Sequence, residues 1–304
     1  MSSKHPLGHE LKPLDAGGKS PDRGTLAAGL YVVATPIGNA RDISLRALDV
    51  LKGCDVIAAE DTRVTSKLLA IHGISRPMVA YNDHNAPEMR PRLIGRMAHG
   101  EAVALVSDAG TPLVSDPGYK LVREAVAQGS AVFPVPGPSA ALAALVASGL
   151  PTDRFLFQGF LPPRSAARRR VLGELAPVPA TLILFESTQR LGDMLADATR
   201  VLGPRPAVVA RELTKLHEEF RRGTLAELAA AYAAAGPPKG EAVVVIGPPA
   251  ADAWAMDDAT VDGLLRAALR LDKPRQAAAA VAPAVGRSAN ELYRRALTLA
   301  REPS

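Results

Sequence analysis

From residue 30 onward, short β-branched runs alternate with apolar stripes at helical spacing, and few folds satisfy that alternation. Strands separated by helices form a mostly parallel sheet, because the crossover helices then cover both of its faces. In the first half, strands are predicted over 30–34, 55–59, 78–81, 102–106 and 131–135. The helices between them mark their own ends. Ser44 precedes a stripe of Leu45, Leu48 and Leu51 that Gly53 closes. Asp116-Pro117 reads as N-cap and first helical residue before Leu121, Val122, Ala125 and Val126, with Gly129 as the stop. After a break at Ser148-Gly149-Leu150-Pro151, strands are expected over 155–160, 181–185, 207–211, 218–222 and 242–246. Helices fall near 166–175, 191–202 and 225–235. Only a short loop separates 207–211 from 218–222, which predicts a hairpin and a mixed sheet. A Pro/Ala-rich linker at 247–256 leads to three helical segments near 258–270, 274–285 and 289–300. The expected organisation is a flexible tail (1–29), two α/β domains (30–150 and 151–248) and a small C-terminal helical extension (257–304).

Composition narrows the function classes. The chain has 304 residues, 47% hydrophobic and 22% charged, which suits two folded domains and excludes wholesale disorder. Cys54 is the only cysteine, so there is no intrachain disulfide framework and no multi-cysteine metal site. One Trp, five Tyr and six Phe are too few for a broad base-stacking platform. The longest apolar stretch, 138–150, is too short to span a bilayer, and the N-terminal 29 residues lack a signal-peptide core. A cytoplasmic, metal-free protein is the expectation. A net charge of +5 permits an anionic partner. Gly18-Lys19-Ser20 ends like a phosphate-binding loop, but Pro13 occupies the first glycine position and no strand precedes it, so it reads as a chance match. His5 and His9 are spaced like helical ligands and read as idle.

Four predicted strands of the first half are each followed by a loop of Gly, Pro and small polar residues. These are Thr35-Pro36-Ile37-Gly38-Asn39, Glu60-Asp61-Thr62-Arg63, Ser107-Asp108-Ala109-Gly110-Thr111-Pro112 and Pro136-Gly137-Pro138-Ser139. Ligands of open α/β sheets bind outside the carboxyl ends of strands, where such loops converge. Turn chemistry explains one such loop well and four poorly. No dinucleotide fingerprint, complete P-loop, nucleophile elbow or zinc-protease motif is present. Asp108 and Asp116 each precede Gly/Pro punctuation and read as caps or ligand acceptors rather than metal ligands.

These loops, in this order, resemble the tetrapyrrole methylase family of S-adenosylmethionine-dependent methyltransferases, and within it the branch acting on small-subunit ribosomal RNA. The resemblance rests on 33–39, 58–63, 107–118, 135–140, 148–162, Arg211-Glu212-Leu213-Thr214-Lys215 and Lys239-Gly240-Glu241, and runs from about residue 29 to the C-terminus. Ala40 departs from the usual Leu, Thr188-Gln189 from the usual Pro-His, and Ala86 from the usual acid. The resemblance implies the two-domain α/β fold of class III methyltransferases, with the methyl donor between the domains. Pro36, Gly38, Asp108, Ala109, Thr111 and Ser139 would line the donor site from the first domain, and Glu186, Ala210 and Gly240 from the second. It implies as acceptor the ribose 2′-hydroxyl of a cytidine in small-subunit ribosomal RNA, free or in the assembled subunit. It also implies a homodimer.

A ribose hydroxyl is weakly acidic, so a base or a cationic neighbour should assist. Glu60, Asp61 and His84 are the candidate catalytic groups, although Asp61 could equally cap the helix beginning at Thr62. RNA contact is expected at Arg63, Arg164, Arg168, Arg169, Arg170, Lys215 and Arg222, although Lys215 and Glu218 could form a hairpin ion pair. In the extension, Ala282, Gly286 and Leu292 have helix-turn-helix spacing, with Ser288 and Glu291 as a capping box and Pro283 as a departure. That segment reads equally as an RNA-docking accessory or a packing element. The competing functions are a tetrapyrrole or corrin-precursor methyltransferase and a non-catalytic RNA-binding assembly protein.

Overall fold

The computed structural model describes residues 26–116, 118–250, 258–285 and 287–300. The expectations for His5, His9, Gly18-Lys19-Ser20 and most of the tail, for Pro117, for 251–257 and for Gly286 lie outside these residues.

Contacts divide the chain into two compact units, residues 1–138 and 139–304. The first alternates strand and helix. It runs β1 (Gly29–Val33), α1 (Leu45–Gly53), β2 (Val56–Ala59), α2 (Thr62–Ile71), β3 (Met78–Ala80), α3 (Ala86–Ala98), β4 (Ala102–Val106), α4 (Tyr119–Ala127) and β5 (Val132–Val135). All five strands are parallel, in the order β3-β2-β4-β1-β5. Every residue of β2 and β4 is buried, as expected of strands covered on both faces. Ile57, Ala104 and Tyr31 join Ala47, Leu51 and Leu69 in one core layer. Val56, Val103 and Leu30 join Leu93, Met97 and Leu121 in the other. Strand alternation thus feeds two cores from one sheet.

Helix starts follow local chemistry. Ser44 Oγ accepts the Ala47 amide and Asp61 accepts the Arg63 amide, each at the predicted cap. At α4 the predicted cap is not the one used. Its N-cap is Gly118 at φ +131°, and Asp116 instead hydrogen-bonds the Ser107 side chain. A Cβ on Gly118 would press within 2.9 Å of Leu105, so the backbone can turn into α4 there only without a side chain.

The second unit opens with α5 (Ala140–Ser148), then β6 (Phe155–Phe160), α6 (Ser165–Leu175), β7 (Thr181–Ser187), α7 (Leu191–Leu202), β8 (Pro206–Arg211), β9 (Glu219–Thr224), α8 (Leu225–Ala235) and β10 (Glu241–Ile246). Helix α5 packs on β7, β8 and β10, so it belongs to this unit. The expected break at 148–151 lies one helix too late. The sheet order is β6-β7-β10-β8-β9, with β6 parallel to β7 and the remaining pairs antiparallel. The predicted hairpin joins β8 to β9. Thr224 and Glu227 form a reciprocal capping box at α8. Three further helices, α9 (Asp258–Leu269), α10 (Pro274–Val285) and α11 (Ala289–Leu299), share a small core built around Val261, Leu265, Val281 and Leu292.

Candidate functional site

In the first sheet β2, β4, β1 and β5 are neighbours and parallel, so their four following loops emerge side by side. Hydrogen bonds tie these loops together. Thr35 and Gly110 exchange backbone bonds of 2.8 and 3.0 Å, and the Thr35 hydroxyl donates to the Ser107 carbonyl at 3.2 Å. The Asp108 amide donates to Glu60 Oε2 at 3.2 Å, and the Asp61 amide donates to Asp108 Oδ1 at 3.0 Å. The Thr111 hydroxyl donates to the Pro138 carbonyl at 3.1 Å. Leu113 and Ser115, in the loop after β4, both hold positive φ (73° and 69°), a strained conformation for these residues. Pro36, Gly38, Asp108, Ala109 and Thr111 all sit on this edge. Ser139 instead opens the second unit as N-cap of α5.

The same edge gathers carboxylates. Burial raises the pKa of Glu60, and the charges of Asp116, Asp108 and Asp83 raise it further. Asp108 and Asp116 are also raised, chiefly by burial. Asp61 behaves oppositely. Arg63 grips its carboxylate through Nε and Nη2, at 3.0 and 2.6 Å, and its pKa falls to about 2. A carboxylate so firmly ionised is a poor proton acceptor near neutrality, so Asp61 is first a helix cap and a partner for Arg63. His84 is exposed in the turn before α3, its amide bonded to Asn82 at 3.2 Å. Its neighbour Asp83 acts on Glu60, which brings the loop after β3 to the same edge.

In the second sheet Glu186, Ala210, Lys215 and Gly240 lie at one end, where β7 and β8 finish and β10 begins. Glu186 is 2% exposed. Its Oε1 accepts the Ser187 amide at 2.7 Å and pairs with Arg190 at 2.6 Å, while Oε2 is buried without a partner. Gly240 has φ +99°, and a Cβ there would collide with the Glu212 carboxylate. The Thr188 hydroxyl donates to the Gly240 carbonyl at 3.0 Å, so Thr188 is part of this end although it departs from the family pattern.

The structure sorts the expected RNA-contacting cations. Arg168 is 4% exposed, with its guanidinium 2.7 Å from Asp197 and bonded to the Pro163 carbonyl at 3.3 Å. It fastens α6 to α7 and does not face solvent, so it is not a phosphate contact. Arg222 is exposed and donates to the Ser148 and Ala147 carbonyls at 3.2 and 2.6 Å, closing the C-terminus of α5. Lys215 bridges Glu212 and Glu241 at 3.0 Å each, and these partners raise its pKa against the opposing effect of burial. Glu218, the alternative hairpin partner, instead accepts the Thr214 amide at 2.7 Å. Arg169 is half-buried, 3.8 Å from Asp197. Arg164 and Arg170 are exposed, and the Arg63 side chain is 87% exposed beside Asp61.

Residues 29–229 match the family described as Tetrapyrrole (Corrin/Porphyrin) Methylases. A protein of Mesorhizobium japonicum named Ribosomal RNA small subunit methyltransferase I is 53% identical over 275 residues, covering 90% of this chain and 93% of that one. The protein of the same name from Escherichia coli O157:H7 is 46% identical, covering 88% and 94%. The chain belongs to the tetrapyrrole methylase family, in the ribosomal RNA small subunit methyltransferase I branch. Solved structures show the same fold. They include a diphthine synthase (TM-score 0.56, 20% identity, 72% of this chain and 89% of that one). A Thermus thermophilus uroporphyrin-III C-methyl transferase complexed with S-adenosyl homocysteine has TM-score 0.51 and 22% identity, covering 72% and 97%.

Within this tetrapyrrole methylase fold, two features went unread in the sequence. Asp83 carries no motif, and only the folded turn after β3 lets its charge act on Glu60. Glu212 and Thr214 hold φ of +50° and +64°. The Arg-Glu-Leu-Thr-Lys segment that supported the family likeness is therefore also a strained loop.

Proposed function

We propose that the chain transfers a methyl group from S-adenosylmethionine to the ribose 2′-hydroxyl of a cytidine in small-subunit ribosomal RNA. The observation carrying this reading is the 53% identity, across nine-tenths of the chain, to a protein named for that RNA. The loops suit such a donor. Gly38 and Ala109 are exposed and small, leaving backbone groups open to a ligand. Three carboxylates with raised pKa values gather on the same edge, where a sulfonium and an ammonium would offset their charge. Pro36, Gly38, Asp108, Ala109 and Thr111, all on the loop edge of the first unit, are the proposed donor contacts.

S-adenosylmethionine supplies the electrophilic methyl group. The chain must hold the ribose oxygen about 3 Å from that carbon, in line with the breaking bond, and take up its proton. Glu60 is the proposed proton acceptor, because its pKa is shifted toward neutrality while that of Asp61 is depressed. His84, on the neighbouring turn, is the second candidate. Arg63, Arg164 and Arg170 are the proposed phosphate contacts, with Arg169 and Lys215 contributing only the charge their partners leave. A cytoplasmic homodimer completes the proposal, and light scattering showing a monomer would remove the dimer.

Labelled donor incubated with protein-free ribosomal RNA, with assembled small subunits and with a porphyrinoid precursor tests the acceptor. Label is expected in RNA, at a cytidine whose 3′ linkage resists alkali. Label in the porphyrinoid, label on a base, or no transfer at all would each overturn the reading.

A further inference from the structure

Resting on the ribosomal RNA reading, we propose that the three-helix module grips the phosphate backbone of its substrate at the corner between α9 and α10. Arg270, Lys273 and Arg275 are the contacts, and the first turn of α11 is not. The module closes its own core around Val261, Leu265, Val281, Leu292, Ala296 and Leu299, which leaves its charged surface to other uses. Its ion pairs are unevenly distributed. Arg287 pairs with Asp258 at 2.7 Å, while Arg295 pairs with Asp258 at 3.0 Å and with Asp262. These pairs join α9 to the start and middle of α11 and neutralise both acids of α9.

The corner is different. Arg270, Lys273 and Arg275 are exposed, and among the described residues none forms an ion pair or a side-chain hydrogen bond. Three cations in six residues face one acid, Asp272. They flank the start of α10, a twelve-residue helix whose N-terminal dipole end adds positive potential. Leu271, 87% exposed between them, adds an apolar contact at the same tip. By contrast α11, which the helix-turn-helix spacing would place against nucleic acid, begins Ala289-Asn290-Glu291. Ser288 Oγ accepts the Glu291 amide, and the Glu291 carboxylate stands in that first turn. Glu291 also lies 3.6 Å from Arg287, so that turn offers a charge pair with little net attraction for phosphate, while the three exposed cations of the corner keep their charge for it.

The test compares full-length wild-type protein, R270Q/K273Q/R275Q and N290A/R294Q for binding protein-free small-subunit ribosomal RNA between about 50 and 200 mM salt. Three lost phosphate contacts should lower the slope of log affinity against log salt by about 2 to 3. The same triple variant should bind more than tenfold more weakly at the lowest salt, and the α11 pair should change the slope by at most about one contact. Donor affinity and thermal unfolding, measured on the same variants, report that the fold is intact. A wild-type slope in the triple variant, or a larger loss from the α11 pair, overturns the proposal. A chain that methylates RNA yet keeps its slope in the triple variant refutes the corner alone. A wild-type chain that neither binds nor methylates RNA refutes the acceptor reading, and the corner with it.

Discussion

At the scale of single residues, the site is a problem of charge. Asp108 receives the Asp61 amide, offers its own amide to Glu60 and carries a raised pKa, so it connects two loops and faces the cationic ligand proposed here. Asp108→Ala is expected to weaken donor binding at least tenfold by titration calorimetry, and unchanged affinity would sink the placement of the donor. As the proposed proton acceptor, Glu60 should govern the pH dependence. Its folded-state pKa lies above the ordinary value, so the carboxylate stays protonated, and unable to accept a proton, to a higher pH than a free glutamate. The rate should therefore rise with pH through that raised value, and Glu60→Gln should abolish the limb. A limb that survives in the Gln variant transfers the role to another group. Asp61 adds no limb near neutrality, because its pKa of about 2 leaves it ionised throughout. The sequence made Glu60, Asp61 and Asp108 visible, because each lies within two residues of a strand's end. It could not rank them, because the ranking comes from burial and from Arg63, Asp83 and Asp116 arriving through space.

At the scale of elements, each predicted helix and strand exists, and the differences lie at joints. Asp116 had the sequence of an N-cap, yet Gly118 starts α4 because the chain must pass close to Leu105 at positive φ. Gly118→Ala should cost about 1–3 kcal/mol of stability, seen as a lower urea midpoint with an unchanged slope. The arginines of α6 looked alike in sequence, and packing separated them. Arg168 turns inward to Asp197 while Arg164 and Arg170 remain outside. Asp197→Ala strands a buried cation and should destabilise the protein by about 3–5 kcal/mol, whereas replacing both partners by apolar residues should recover much of that loss. If Asp197→Ala unfolded at the wild-type midpoint, the pair would not be holding α6 to α7.

For the whole molecule, the chain divides into one parallel unit and one mixed unit that ends in a small helical module. Among the described residues, the module draws its core from α9, α10 and α11. Leu292→Ala should therefore cost about 2–5 kcal/mol. That loss should appear in scanning calorimetry as an early transition, with the main transition held in place. A single transition shifted as a whole would show that the module unfolds with the rest. The boundary between the units falls one helix earlier than the sequence pattern suggests, and α5 shows why. It is apolar on nearly every side, so its pattern named no partner, and only contact with β7, β8 and β10 assigned it to the second unit. The sequence by itself determined the alternation of strands and helices, the hairpin, the loop edge of the first sheet and, through those loops, the family. These features depend on local periodicity, turn chemistry and motif order, which are written along the chain. Tertiary structure alone decided which cations remain free, which carboxylate is raised and which depressed, and where one unit ends. Those outcomes depend on distance and burial between residues far apart in sequence, where desolvation and partner charges set the energies.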